Sequence, residues 1–251
     1  MLLYFGGLIV VYVGGLALFW PEDGRQPDDS LFLVIMLAPT AGAMLARFGG
    51  PGVIQWGRPN LWIVAGLLPA VVVLGAYLLG AAVGLDTEDP KILRAALVGA
   101  SGSILIASLS ASGEEIGWRG FLWPLLRRTS GYWWTSLVVG LIWWLYHLPL
   151  ILLGWYGSVA GLAAFTVAIA GFTLFVGALT DRSRSVWPSI VAHGSWNGLV
   201  ATSFAATEAG EDVPAFAGSQ ALLGEFGWLA AGSMVLLGGL AAWWHTRRPD
   251  S

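Results

Sequence analysis

LRAALVGASGSILIASLSASGEEIGWRGFLWPLL, residues 93–126, decides how the rest of the chain is read. From Ala95 to Gly113 every residue is apolar or small, and then Glu114, Glu115 and Arg119 stand inside the same run. A bilayer core is crossed by a helix of ~20 predominantly apolar residues. The stretch therefore predicts a transmembrane helix that carries ionisable groups near one end. The same pattern repeats along the 251 residues. Apolar runs fall near 2–20, 31–47, 61–85, 93–116, 133–153, 158–179, 187–206 and 222–244, separated by polar punctuation such as PEDGRQPDDS (21–30), DTEDPK (86–91), TDRSRS (180–185) and TEAGEDVP (207–214). The runs are continuous rather than alternating, so strands are not expected. The predicted fold is all-α, a polytopic transmembrane bundle of about eight helices. It is read as one membrane-embedded domain over 1–251, with a catalytic core at about 95–205.

Composition agrees. The hydrophobic fraction is 57% and the charged fraction 11%, against roughly 45–50% and about 25% in a soluble domain. Mean hydropathy is +0.73. Fifteen Trp and 35 Gly suit interfacial anchoring and close helix approach. A net charge of −3 offers nucleic acid no attraction. With no Cys, disulfides, thiolate zinc sites and cysteine catalysis are excluded. The first run, Leu2 to Trp20, lacks the basic segment and A-x-A site of a signal peptide and reads as a retained helix.

Lys and Arg placement sets the expected orientation. With eight spans, the side holding both termini carries Arg47, Arg58, Arg127, Arg128, Arg182, Arg184, Arg247 and Arg248, and the other carries Arg25, Lys91 and Arg94. Both termini are expected in the cytoplasm, with the bilayer a bacterial-type inner or plasma membrane. Acidic residues gather on the opposite side, at Glu22, Asp23, Asp28, Asp29, Asp86, Glu88, Asp89, Glu208, Glu211 and Asp212.

The charges left inside spans carry the functional argument, because each costs ~2.5–3.5 kcal/mol or more at a span centre. They are Glu114, Glu115 and Arg119 in span four, His147 in GLIWWLYHLPLILL of span five, and His193 with Asn197 in WPSIVAHGSWNG of span seven. Glu115 and Arg119 are i,i+4 and can pair, while Glu114 is rotated by about 100° and meets a different environment. His193 and Asn197 are also i,i+4, with Ser189 one turn earlier and Pro188 at the helix start. Glu114 and His147 lie equally far from the basic turn at Ser130–Gly131, so they reach one height if both arms are helical. That height is the cytoplasmic half or the midplane. Gly117, Gly120 and Pro124 predict a break in the first arm. Taken singly, Glu115–Arg119 would be a structural ion pair and either histidine a helix–helix clamp. Together, at compatible depths, they read as a site. His245, beside Arg247 and Arg248, is given no role.

At these residues the chain resembles the CPBP family: the type II CAAX prenyl proteases and the bacteriocin-processing or self-immunity proteins also called Abi. The family pattern E-E-x-x-x-R, F-x-x-x-H, H-x-x-x-N reads here Glu114-Glu115-x-x-x-Arg119, Trp143-x-x-x-His147 and His193-x-x-x-Asn197. Trp143 replaces the family's Phe, a change expected to bear on substrate fit more than on chemistry. The resemblance implies an intramembrane glutamate-type endopeptidase acting on a membrane-associated, lipophilic or prenylated peptide. By similarity Glu114 with His147 would activate water, His193 and Asn197 would stabilise the oxyanion, and Glu115 with Arg119 would orient and charge-balance Glu114. No cofactor is expected. A zinc alternative would use Glu114, His147 and His193, although no H-E-x-x-H is present. Competing readings are a proton-coupled transporter and a non-catalytic membrane scaffold or immunity protein. Oligomeric state is not legible.

Overall fold

The structure, a computed structural model, describes residues 1–21, 27–48, 54–57, 61–204 and 214–247. Arg25, Arg58, Arg248, Glu22, Asp23, Glu208, Glu211 and Asp212, used above for orientation, lie outside the described residues.

The protein is a polytopic, membrane-spanning bundle of α-helices. The chain runs through α1 (Leu2–Leu18), α2 (Asp29–Phe48), α3 (Trp62–Ala82), α4 (Pro90–Gly117), α5 (Trp123–Arg127), α6 (Tyr132–Leu152), α7 (Leu162–Ser183), α8 (Trp187–Ser195) and α9 (Trp228–Thr246). Each apolar run read from the sequence coincides with one of these. The count of about eight transmembrane helices needs correction, however. Among the described residues five stretches are long and apolar enough to cross a membrane: α2, α3, the continuous Pro90–Arg127, α6 and α7. Helix α1 is apolar but has 17 residues, and the seventh run splits into a nine-residue α-helix and a nine-residue π-helical segment, Trp196–Phe204. Strands are present after all. β1 (Asp86–Glu88) pairs antiparallel with β2 (Phe216–Gly218), Asp86 opposite Gly218.

Large side chains face outward, as a lipid solvent allows. Leu97, Val98, Leu105, Ile106 and Leu109 of α4 are all exposed, as are Trp133, Leu137 and Leu141 of α6. Lipid gives apolar side chains no reason to turn inward, so close helix contact comes from small residues. Gly194 and Gly198 bring α8 and the segment after it against Ser108 and Ser103 of α4, where added β-carbons would collide with α4 backbone. Gly113 and Gly117 do the same for α4 on Met36 and Pro39 of α2. The two small-x-x-x-small pairs flank the motif residues and set the distance between them.

Caps and tyrosines complete the frame. Asp89 accepts from the backbone N–H of Lys91 and Ile92 ahead of α4, with Pro90 at the first helical position. Pro188 opens α8 in the same way. Tyr12 donates to the Tyr146 carbonyl, and Tyr146 to that of Ile35, tying α1, α2 and α6. The break predicted at Gly117–Pro124 is a π-helical turn, Trp118–Leu122. It keeps the backbone bonded, so α4 continues into α5 without interruption.

Candidate active site

Glu114 and Glu115 end the regular part of α4, and Arg119 sits in the π turn that follows. Such turns insert a residue into the helical ladder and are frequent at functional sites. All three side chains are buried, Glu115 and Arg119 completely. Arg119 Nη1 donates to Glu115 Oε1 at 2.9 Å. His193 Nδ1 from α8 meets the same oxygen at 3.0 Å. One carboxylate oxygen thus joins α8 to the long α4–α5 helix.

Glu114 points elsewhere, as its 100° rotation requires. Its Oε2 accepts from Trp143 Nε1 at 2.6 Å and from Trp118 Nε1 at 3.3 Å. Trp143 connects everything else. Its ring carries the Arg119 guanidinium at 4.3 Å from the centroid, and its carbonyl lies 2.8 Å from His147 Nδ1. A carbonyl can only accept, so Nδ1 bears the proton and the neutral ring keeps Nε2 as a base. His193, with Nδ1 against a carboxylate, is placed in the same tautomer when neutral.

The six residues of the sequence reading are not all joined directly. Glu115, Arg119 and His193 touch. Glu114 and His147 do not hydrogen-bond to each other, and Trp143 serves both. Asn197 falls at the start of the π-helical segment that follows α8. It is half-buried, and its carbonyl accepts from Thr202. The zinc set Glu114, His147 and His193 does not converge. Among the described residues no three His, Asp or Glu could hold a metal ion. Glu114 is occupied by indoles and His193 by Glu115.

A small cavity adjoins the cluster at Trp143 and His193. Trp143, His147 and His193 form one wall, Phe165 and Phe172 of α7 another, and Tyr156, Trp196 and Glu225 the far side. Tyr156 lies in the α6–α7 connection and Glu225 in the turn before α9. Both connections are at the end of the bundle opposite Arg127, Asp181 and Arg182. The pocket therefore reaches from the motif residues away from the end that holds Arg127, Asp181 and Arg182. Glu225 was missed in the sequence. It is an acid inside an apolar run, ALLGEFGWLAA (221–231), and the rule that found the other charges would have found it.

Residues 94–199 match the family model described as Type II CAAX prenyl endopeptidase Rce1-like. The domain is the one the three motifs resemble. No curated protein matches the chain.

Proposed function

With residues 94–199 an Rce1-like domain, we propose that the protein is an intramembrane endopeptidase that hydrolyses a peptide bond in a membrane-associated, lipophilic or prenylated peptide by carboxylate-activated water. The observation that carries this reading is the buried glutamate–histidine pair, Glu115 to His193 at 3.0 Å, with the Glu114 carboxylate one residue away and a cavity lined by His147 and His193.

The roles follow from the contacts. Glu114 takes the proton as water attacks the scissile carbonyl, and later gives it to the departing amine. Two indole donors fix the aim of its carboxylate. His147, with Nε2 free, completes the basic unit from across Trp143. Glu115 and Arg119 hold His193 and balance the charge around Glu114. His193, as the imidazolium with Nδ1–H on Glu115, donates from Nε2–H to the oxyanion, and Asn197 is the proposed second donor. A preorganised donor of this kind is worth ~2.7–4 kcal/mol against the developing charge. The donor arrangement favours water without metal.

We place the whole of 1–251 in one membrane domain, with the end that holds Arg127 and Arg182 on the cytoplasmic side. Purified wild type and Glu114→Gln, tested side by side on a library of apolar and prenylated peptides, decide the reading. Cleavage by wild type and a loss of ~10²–10⁴-fold in the variant is expected. Equal cleavage by both, or none by either, would overturn it. Chelation should leave activity unchanged; loss restored by Zn²⁺ would reject the metal-free mechanism.

A further inference from the structure

The far wall of the cavity is built differently from the near one. Glu225 is 8% exposed and faces the cavity. Trp196 Nε1 donates to its Oε1 at 2.8 Å, and the Tyr156 hydroxyl faces the same carboxylate. Burial, and then the Glu225 charge, push the Tyr156 hydroxyl well above its ordinary pKa, so it stays a donor. Among the described residues Glu225 makes no ion pair. Glu115, by contrast, is met by Arg119 and His193.

The turn that carries Glu225 is held from several sides. The Tyr77 hydroxyl accepts from the Gly224 N–H at 2.9 Å. Phe226 stacks on Phe165 with centroids 4.8 Å apart and planes 11° from parallel. Gly157 and Gly161 admit Phe226 where a β-carbon would collide with it. The carboxylate is therefore positioned in advance, at a cost in desolvation that neutral donors only partly offset.

Aromatic faces line the rest of the cavity. Phe172 lies 5.7 Å from Trp196, and Trp143 lies 5.8 Å from Phe172. An unpaired carboxylate at the end of an aromatic-walled cavity is complementary to an organic cation on an apolar stem. We infer that this cavity is a substrate subsite that receives a basic side chain, Lys or Arg, from a residue flanking the scissile bond, with Glu225 as its counter-charge. The inference rests on the peptidase reading and gives that substrate a stated chemistry. It also assigns specificity to a residue outside the matched domain, which ends at Leu199.

The test uses peptides in which each position near the cut is in turn Lys or norleucine, the uncharged chain of similar length. At one position the wild type should favour Lys in kcat/KM by about tenfold or more, the scale of a desolvated cation contact. Glu225→Gln should bring that ratio to about one, and Glu225→Asp to a value between. A wild type without such a position, or a preference that survives Glu225→Gln, would overturn the inference. Binding of the same peptides to Glu114→Gln, read by fluorescence anisotropy, separates the two claims. Lys-selective binding without cleavage by wild type would sink the peptidase and keep the subsite. Cleavage with no preference would do the reverse. Should Glu225→Gln fail to fold, the wild-type ratio and its reduction in Glu225→Asp still decide.

Discussion

Two clusters in this molecule use the same four kinds of group and do opposite things. Asp181, near the end of α7, accepts from Trp123 Nε1 at 2.8 Å and Arg127 Nε at 2.9 Å, and lies 3.3 Å from His245 Nε2. Glu114 and Glu115 likewise meet indole, guanidinium and imidazole. At Asp181 both carboxylate oxygens are engaged, and Asp181 and Arg127 remain partly exposed at the bundle's end. Among the described residues one Glu115 oxygen and Nε and Nη2 of Arg119 have no hydrogen-bond partner, and all are fully buried behind His193, which lines the cavity. The first is a staple that fastens α5, α7 and α9. The second holds polar capacity that the fold does not consume. Residue types alone do not distinguish a fastening from a site; depth, satisfaction and adjoining space do.

Glu115→Gln should break the comparison most. It strands a buried Arg and a histidine, at a cost of about 3–5 kcal/mol, and denaturation in detergent should show it together with lost peptidase activity. Asp181→Asn, by contrast, should leave turnover per folded molecule unchanged. Trp143→Phe comes next. It restores the family's residue but deletes the 2.6 Å donor to Glu114. A hydrogen bond to a charged group is worth ~1.5–3 kcal/mol, so kcat should fall about tenfold or more while KM changes less. An unchanged kcat would return Trp143 to a role in substrate fit alone.

Asp181→Asn itself should lower stability by about 1–2 kcal/mol, read as a lower melting temperature. The smallest effect concerns Asp86 in β1, whose carboxyl is held above its ordinary value of 3.8 by burial and then by Glu88. The fold favours its protonated form. Its contribution is therefore full below the ordinary value and is lost as pH rises through the raised one. Asp86→Asn should raise the melting temperature slightly at neutral pH and make no difference in acid. A variant less stable than wild type at neutral pH would contradict that assignment.

Much of the bundle was legible because hydropathy in a membrane chain is read over whole spans. Proline at a helix start (Pro188) and the pairing of Glu115 with Arg119 followed from local geometry. What escaped depended on tertiary approach. The π turns lie where Gly117 and Gly198 let neighbouring helices in, and Asn197 falls in the second of them. His245, given no role, closes on Asp181 from 64 positions away in the chain. Glu225 was hidden for a plainer reason, that one acid in a long apolar run was absorbed into the run. The family's Phe made Trp143 look like a change of volume, whereas the indole N–H is what meets Glu114.

Trp143 also bears on how mutational data from this protein will combine. One indole donates to Glu114 and supports the guanidinium of Arg119, which grips Glu115, which grips His193. Substitutions along that chain share partners, so their free energies will not sum. A second change will cost less once the first has loosened the set. Epistasis of that kind is expected among Glu114, Trp143, Arg119 and His193, and additivity between any of them and Asp181.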